Sequence, residues 1–151
     1  MILENLKLSG KLNIVIKDQD GSVKDQVEVD NLVVTAGLTF IASRMGGTTQ
    51  AVMSHMGVGS GTTAAAAGQT DLVSIVGSRV ALTSTTPGTS NIVYVASFGA
   101  GVSTGAITEA GIFNNATAGS GTMLCRTTFA VINKGANDTM TVTWTVSLVA
   151  V

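Results

Sequence analysis

The chain has 151 residues and a mass of 15.2 kDa, which is enough for one domain and too little for two. Eight basic and nine acidic side chains leave a net charge of −1, so the basic surface needed to bind nucleic acid or anionic lipid is missing. The chain has no run of about 18 apolar residues, so no membrane-spanning helix is predicted. One Cys and one His exclude an intrachain disulfide and any site built from two imidazoles, and we expect no metal or cofactor.

The charged residues are few and unevenly distributed. They make up 11% of the chain, against about 25% in an ordinary soluble domain. Four Lys and six acidic residues, ten of the 17, lie in residues 1–30, so residues 31–151 must cover their surface mainly with apolar and small polar groups. Such a surface tends to associate, because little water has to be removed from ionic groups. The composition favours an obligate assembly; a monomer kept soluble by Thr and Ser hydroxyls is the alternative.

Two strands joined by a tight turn are the first elements predicted along the chain. Residues 11–17 and 22–29 both alternate apolar and polar side chains, as half-buried strands do. Gly21 follows an Asp between them, which is a hairpin signal because glycine accepts a positive φ angle. The predicted ribbon has one hydrated face. Residues 1–8 lack the apolar core of a signal peptide, so we expect synthesis in a cytoplasm.

A short helix is predicted for residues 38–45. The apolar side chains spaced as one buried helix face are Leu38, Ile41, Ala42 and Met45. Two glycines at positions 46 and 47 then end the helix. Residues 52–58 predict a short buried strand, and residues 59–68 predict a loop of small residues.

The second half of the chain reads as strands and turns throughout. The predicted strands are residues 79–83, 92–98, 106–113, 122–132 and 139–149. In the last one, Val142, Trp144, Val146 and Leu148 point one way, and Thr and Ser point the other way. Several short strands separated by turns indicate a mainly β fold, an antiparallel β-sandwich or a jelly-roll-like barrel, with one short helix and an N-terminal β-hairpin. We expect residues 1–30 to form the N-terminal segment and hairpin and residues 31–151 the β-sandwich, within one compact unit.

No motif supplies a convincing set of catalytic residues, so we expect no enzymatic activity. The glycines of residues 57–61 lack the spacing of a dinucleotide loop and the Lys of a phosphate loop. Residues 18–21 begin like a calcium loop, but Val29 stands where the bidentate Glu would be. An esterase that uses Ser60 and His55 is the weakest alternative, because neither Ser60 nor Ser78 lies in the G-x-S-x-G frame of a nucleophile elbow.

Glu109 is the one acidic residue within the predicted strand of residues 106–113. A lone carboxylate cannot carry out the two-carboxylate chemistry of glycosidases. Arg79 and Arg126 lie in other predicted strands, and a planar guanidinium can bind a carboxylate through two hydrogen bonds. We therefore predict a structural ion pair between Glu109 and Arg79 or Arg126, which would fix the register between strands or subunits. Cys125 is predicted to be a small buried side chain.

Four short motifs follow one another in a fixed order within residues 31–148. They are G-x-G-T-T at residues 59–63, T-E-A-G-I-F-N at residues 108–114, R-x-x-F at residues 126–129, and K-x-x-x-D-T followed by alternating Thr and apolar residues at residues 134–144. In this order they resemble small structural proteins of tailed bacteriophages. That group includes capsid decoration (cement) proteins and tail-fibre or baseplate-associated proteins.

The resemblance implies a non-enzymatic β-domain that oligomerises, often as a trimer, on a larger particle. We expect a capsid decoration protein on the outer capsid surface of the virion, made in the host bacterial cytoplasm. Its partners would be the major capsid protein and further copies of itself, with no nucleic acid, membrane or small-molecule substrate. The alternative is a tail-fibre or baseplate-associated protein that contacts the host surface, although an aromatic content of 4% suits a receptor-binding tip poorly.

The first eight residues are the predicted capsid attachment element. The residues that would make the contact are Ile2, Leu3, Leu6, Lys7 and Leu8. An extended segment can add to a sheet edge of a partner, where main-chain hydrogen bonds hold it and apolar side chains fill pockets. The charges of the hairpin would then set the orientation. The alternative is that these apolar side chains pack on their own domain.

Overall fold

Nine antiparallel strands and one helix make up the computed structural model, which describes residues 5–47 and 50–151. Strands hold 52% of the residues, which confirms the predicted mainly β class, the N-terminal hairpin and the short helix. In chain order the elements are β1 (Leu6–Lys17), β2 (Val23–Val33), α1 (Thr35–Met45), β3 (His55–Gly59), β4 (Val80–Ala81), β5 (Ser84–Pro87), β6 (Asn91–Phe98), β7 (Gly105–Phe113), β8 (Met123–Lys134) and β9 (Thr139–Ala150).

The nine strands form one sheet in the order β4-β3-β7-β8-β2-β1-β9-β6-β5, which curls into a half-barrel. Its two edge strands, β4 and β5, are separated by only two residues in the chain. The Leu82 amide donates to the Ser54 carbonyl at 2.8 Å, and the Thr83 amide donates to the Val95 carbonyl in β6 at 2.7 Å. The segment of residues 80–87 therefore runs from one edge of the sheet to the other.

The hairpin strands lie in the middle of the sheet. β1 pairs along its whole length with β9, and with β2 on its other side from Gly10 onward. β2 then crosses to the other half of the sheet, where Leu32 and Val33 pair with Arg126 and Cys125 of β8. The division drawn at residue 30 thus falls inside β2, a strand that joins the two halves of the sheet.

The core lies inside the curl of the sheet and follows the period-2 alternation of the strands. Leu12 of β1 lies opposite Trp144 of β9, which in turn lies opposite Tyr94 of β6, and all three are buried. This arrangement confirms the predicted inward face of β9. The other half of the sheet packs against it through apolar side chains, among them Met56, Val58, Ile107, Ile112, Leu124 and Ile132.

The predicted buried face of the helix is mostly wrong, because only Ile41 of its four residues packs against the core. Leu38 is 46% exposed and Met45 is 84% exposed, whereas Gly37 and Phe40 are the buried helix residues. A Cβ atom at Gly37 would lie 2.3 Å from the carbonyl oxygen of Leu124. The helix backbone therefore approaches β8 at Gly37, and Phe40, one turn later, enters the core.

The strand prediction for residues 79–83 also needs correction. Only Val80–Ala81 form a strand there, β4, and the neighbouring strand β5 (Ser84–Pro87) was not predicted. All four residues of β5 are exposed, so no alternation of apolar and polar side chains marks it. Both edge strands are short, and Pro87 has no N–H to donate, which limits pairing with another chain at these edges.

Candidate functional site: buried charges and an apolar groove

Glu109 and Arg126 form a fully buried ion pair between β7 and β8. Both side chains are 0% exposed, and Arg126 Nη2 and Nε donate to Glu109 Oε2 at 2.7 and 2.9 Å. Arg126 Nη1 also donates to the side-chain oxygen of Gln69 at 2.9 Å. Of the two arginines predicted as partners, Arg126 is the one that contacts Glu109.

The carboxylate of Glu109 also accepts three backbone hydrogen bonds. Oε1 accepts from the amides of Gly61 and Ser74 at 3.0 and 2.7 Å, and Oε2 accepts from the amide of Val73 at 3.0 Å. Burial raises the pKa of Glu109, but the amides of Ser74 and Val73 and the guanidinium of Arg126 outweigh it and hold the pKa below its ordinary value. The ionised carboxylate therefore anchors the irregular segment of residues 60–79, which joins β3 to β4.

Two glycines leave the space that this carboxylate occupies. A Cβ atom at Gly59 or at Gly61 would lie 2.5 Å from Glu109 Oε1. The G-x-G-T-T motif thus packs against the Glu of the T-E-A-G-I-F-N motif. The two motifs are about 50 residues apart in the chain and form one structural unit. Their glycines allow the Glu109 carboxylate to approach the backbone closely and do not form a phosphate-binding loop.

Arg79 belongs to a second charge cluster and does not contact Glu109. Its Nη2 lies 3.0 Å from Asp71 Oδ1, and its Nη1 donates to the carbonyls of Asn115 and Ser120 at 2.9 Å. The guanidinium carbon lies 3.5 Å from the ring centroid of Phe113. The sequence analysis did not predict Asp71 as a partner of Arg79, but its carboxylate lies nearer to Arg79 than that of Glu109 does.

A third cluster joins the hairpin to the turn between β8 and β9. Lys24 Nζ lies 2.6 Å from Asp138 Oδ2, which also accepts the amide of Gly135. Lys134 is 1% exposed and donates to the carbonyl of Gly99 at 2.8 Å. Burial lowers the pKa of Lys134, and the charge of Asp138 offsets part of that shift. The cluster fixes the turn against the hairpin.

The exterior formed by residues 31–151 is almost uncharged. All seven charged residues of this range lie within the described residues, and five are buried: Arg79, Glu109, Arg126, Lys134 and Asp138. Asp71 is half-buried, so Arg44 is the one exposed charged residue of the seven. By contrast, the Lys11–Glu28 pair of the hairpin stays 61% and 52% exposed.

An apolar groove of about 490 Å³ lies between α1 and the ends of β6 and β9. Its lining includes Phe40, Ile41, Ile92, Tyr94, Val146 and Leu148, and Arg44 also borders it. Two lining side chains are unusually exposed for their type, Met45 at 84% and Val52 at 59%. The volume lies in the range of sites that bind a ligand or a peptide side chain.

The residues of the esterase alternative do not come together. His55 Nδ1 lies 2.8 Å from Ser54 Oγ, its neighbour in the chain. Ser60 lies five residues after His55, ~16 Å away along the extended chain. Its Oγ donates to Ser74 Oγ at 3.2 Å. Cys125 is buried as predicted, and burial raises the pKa of its thiol to about 12, so it is no thiolate nucleophile at neutral pH.

Neither a metal cluster nor a membrane-spanning helix is seen in the described part of the chain. Within residues 5–47 and 50–151, no three His, Cys, Asp or Glu side chains are grouped so that they could bind a metal ion. In the same ranges, no helix is long and apolar enough to cross a membrane.

The predicted attachment residues divide into two sets. Leu6, Lys7 and Leu8 lie in β1 and pair with residues 148–150 of β9. Their other side has no strand partner among the described residues, because pairing with β2 begins at Gly10. Ile2 and Leu3 lie outside the described residues.

Comparisons of the chain with protein-family models, with curated proteins and with solved structures found no match.

Proposed function

We propose that this chain is a non-enzymatic structural protein of a tailed-bacteriophage particle, a capsid decoration protein that binds the major capsid protein and stabilises the assembled head. The observation that carries the proposal is the burial of charge: of the seven charged residues in residues 31–151, only Arg44 is exposed. An exterior of this kind favours permanent contact with other protein surfaces. The motif order of residues 31–148 supports a place in the virion.

Stabilisation of a capsid requires only that the protein bind the assembled lattice better than the free capsid subunits. By mass action, a free concentration of 100 times the dissociation constant stabilises each occupied site by about 2.7 kcal/mol. A homotrimer, the assembly we propose, adds to this through effective concentration once its first subunit is bound. The buried ion pairs support this function by fixing residues 60–79 in one conformation.

Within the predicted attachment element, Leu6, Lys7 and Leu8 of β1 are the proposed capsid contact. Residues 6–9 of β1 present a backbone edge that has no strand partner on one side among the described residues. An extended segment of the capsid protein could add to this edge through main-chain hydrogen bonds. Leu6, which is 63% exposed, would supply apolar contact area there.

Immunogold electron microscopy of purified particles that contain this chain tests the location. Label spread over the head supports the proposal, whereas label confined to the tail overturns it in favour of a tail-fibre or baseplate component. Addition of the purified chain to particles stripped of it tests the activity: restored resistance of the heads to heat is expected. Serum albumin at the same concentration is the control, and equal resistance with both proteins contradicts the proposal.

A further inference from the structure

The apolar groove next to α1 has one charged side chain on its border. Arg44 is also the one exposed charged residue of residues 31–151. Its Nη1 donates to the carbonyl of Gln50 at 3.0 Å, which holds the guanidinium beside the groove. Among the described residues, no carboxylate lies within 4.0 Å of it. Since an arginine has five N–H donors, donors remain for an acidic partner.

The chemistry of the groove defines its occupant. Apolar side chains such as Ile92, Val146 and Leu148 line it, and Met45 and Val52 leave further apolar surface exposed beside it. A matching segment carries two or three consecutive apolar side chains followed or preceded by one carboxylate. Burial of the apolar side chains would supply affinity, and the carboxylate would fix the direction of the segment.

Residues 1–4 are a segment of this chain with that composition. Asp71-Leu72-Val73 is another, but Asp71 already pairs with Arg79 and Leu72 packs against a buried cluster. Residues 1–4 read Met-Ile-Leu-Glu, three apolar side chains followed by one acid. They precede Asn5, whose carbonyl accepts the amide of Val151 at 2.8 Å at the end of the β1–β9 pair. The described chain therefore leaves the sheet at the end where β9 contributes Leu148 to the groove.

Residues 1–4 are short for the groove of their own chain. Leu148, the groove residue of β9 nearest to Val151, is three residues back along the strand, ~10 Å, and Val146 is five residues back, ~17 Å. The Cα atoms of Leu3 and Ile2 reach at most ~7 and ~10 Å from the Cα atom of Asn5. A reversal of the chain would use up part of this reach. Occupation by a second copy of the chain has no such limit.

We propose that Met1–Glu4 of one copy bind the apolar groove of a second copy, with Ile2 and Leu3 against the apolar lining and Glu4 paired with Arg44. Segment and groove are different surfaces of the same chain, so the contact is head-to-tail and closes into a ring when the rotation allows it. A trimer is such a ring. The inference deepens the self-association included in the proposed function, and it does not depend on location in a virion.

A charge exchange in the full-length chain tests the contact. Arg44→Glu and Glu4→Arg each place like charges together, and we expect each to raise the dissociation constant of the oligomer about tenfold. The double variant restores an opposite pair and is expected to return the constant to near that of the wild type. Lys17→Glu, which reverses an exposed charge at the other end of β1, is the control and leaves the constant unchanged. Light scattering over a concentration series measures all four.

An apolar substitution provides a second test that preserves the fold. Met45→Asp changes a side chain that is 84% exposed, so the monomer should fold, and the oligomer should dissociate at concentrations where the wild type stays assembled. Val131→Asp, at a position 55% exposed on β8, is the control. Circular dichroism confirms folding of both variants.

Three results would overturn the inference. A monomeric wild type removes the contact together with the proposed self-association. An oligomer insensitive to Arg44→Glu, Glu4→Arg and Met45→Asp shows that copies associate elsewhere. A chain lacking residues 1–4 that stays oligomeric but no longer binds stripped heads assigns the segment to the capsid protein. Label on the tail would instead contradict only the proposed location.

Discussion

The hairpin and the rest of the chain use the same kind of ion pair for opposite purposes. In the hairpin, Lys11 and Glu28 face each other at 2.8 Å with more than half of each side chain exposed. In the other half of the sheet, Glu109 and Arg126 meet at 2.7 Å with both side chains fully buried. The exposed pair keeps a strand surface hydrated, whereas the buried pair fixes a loop and leaves the exterior uncharged.

The energies of the two pairs differ for a physical reason. An exposed pair contributes about 0–1 kcal/mol, because water screens it and two long side chains lose freedom. A buried pair carries a large desolvation cost, so its formation adds little net stability, but removal of one partner leaves a buried charge and costs about 3–5 kcal/mol. The buried pair therefore selects one conformation of residues 60–79 rather than adding much stability.

The largest effect is predicted for Glu109→Gln. The amide removes the negative charge, leaves Arg126 buried without its partner, and presents an NH₂ group to the amides of residues 61, 73 or 74. We expect the free energy of unfolding to fall by about 3–5 kcal/mol, measured by denaturant titration. A variant as stable as the wild type would show that the pair does not anchor the loop.

The double variant Glu109→Leu/Arg126→Met separates the ion pair from the loop anchor. It removes both buried charges, so the penalty for an unpaired charge disappears. The amides of Gly61, Val73 and Ser74 still lose their acceptor, and each unsatisfied buried amide costs about 1–3 kcal/mol. We expect the double variant to remain less stable than the wild type. Full recovery of stability would show that the three backbone hydrogen bonds contribute nothing.

A smaller effect is predicted for Gly61→Ala. The added Cβ atom would lie 2.5 Å from Glu109 Oε1, so the carboxylate or the loop must shift. We expect a loss of about 1–3 kcal/mol in thermal or denaturant unfolding. Gly68→Ala in the same loop is the matched control, because a Cβ atom there would meet no atom within 4 Å beyond its chain neighbours, and the change should stay within about 0.5 kcal/mol. Equal losses in both variants would contradict the close-packing explanation.

The loss of stability at acidic pH is predicted to depend on Glu109. Its pKa is lowered in the folded state from the ordinary 4.5, so the stabilisation is complete above pH 4.5 and is lost as the pH falls through the folded pKa. One carboxyl changes the free energy of unfolding by at most about 1.4 kcal/mol per pH unit. Asp138, whose pKa Lys24 lowers, acts in the same direction. Denaturant titrations between pH 7 and pH 3 should therefore show a shallower decline for Glu109→Gln, and parallel curves would contradict the prediction.

The long strands were predictable because their apolar and polar residues alternate, whereas the short edge strands β4 and β5 carry no such pattern. In β9, Val142, Trp144 and Val146 alternate with Thr residues, and the structure buries these three apolar side chains as the pattern indicates. The helix face was not predictable in the same way. Apolar spacing favoured Leu38 and Met45, but a close approach of Gly37 to Leu124 in β8 decides the rotation of the helix. That contact joins residues 87 positions apart and leaves no local signal.

The candidate site was predictable only in part for a similar reason. An isolated Glu in an apolar strand indicates a buried acid, and the two arginines were the available partners. The choice between them depends on Asp71, which lies in an irregular loop and contacts Arg79. The groove depends on the helix rotation, so a wrong helix face also hides the position of Arg44 beside it.

The smallest effect is predicted for Glu28→Gln in the hairpin. Lys11 Nζ and Glu28 Oε1 are 2.8 Å apart, but Lys11 is 61% exposed and keeps its hydration when the partner is neutral. We expect a small loss of stability at low ionic strength, and almost none in 1 M salt, where the Debye length is about 3 Å. The same salt should leave the loss caused by Glu109→Gln nearly unchanged, because water and ions do not reach a fully buried pair. If salt reduced both losses equally, the contrast between an exposed and a buried pair would not explain how this chain distributes its charge.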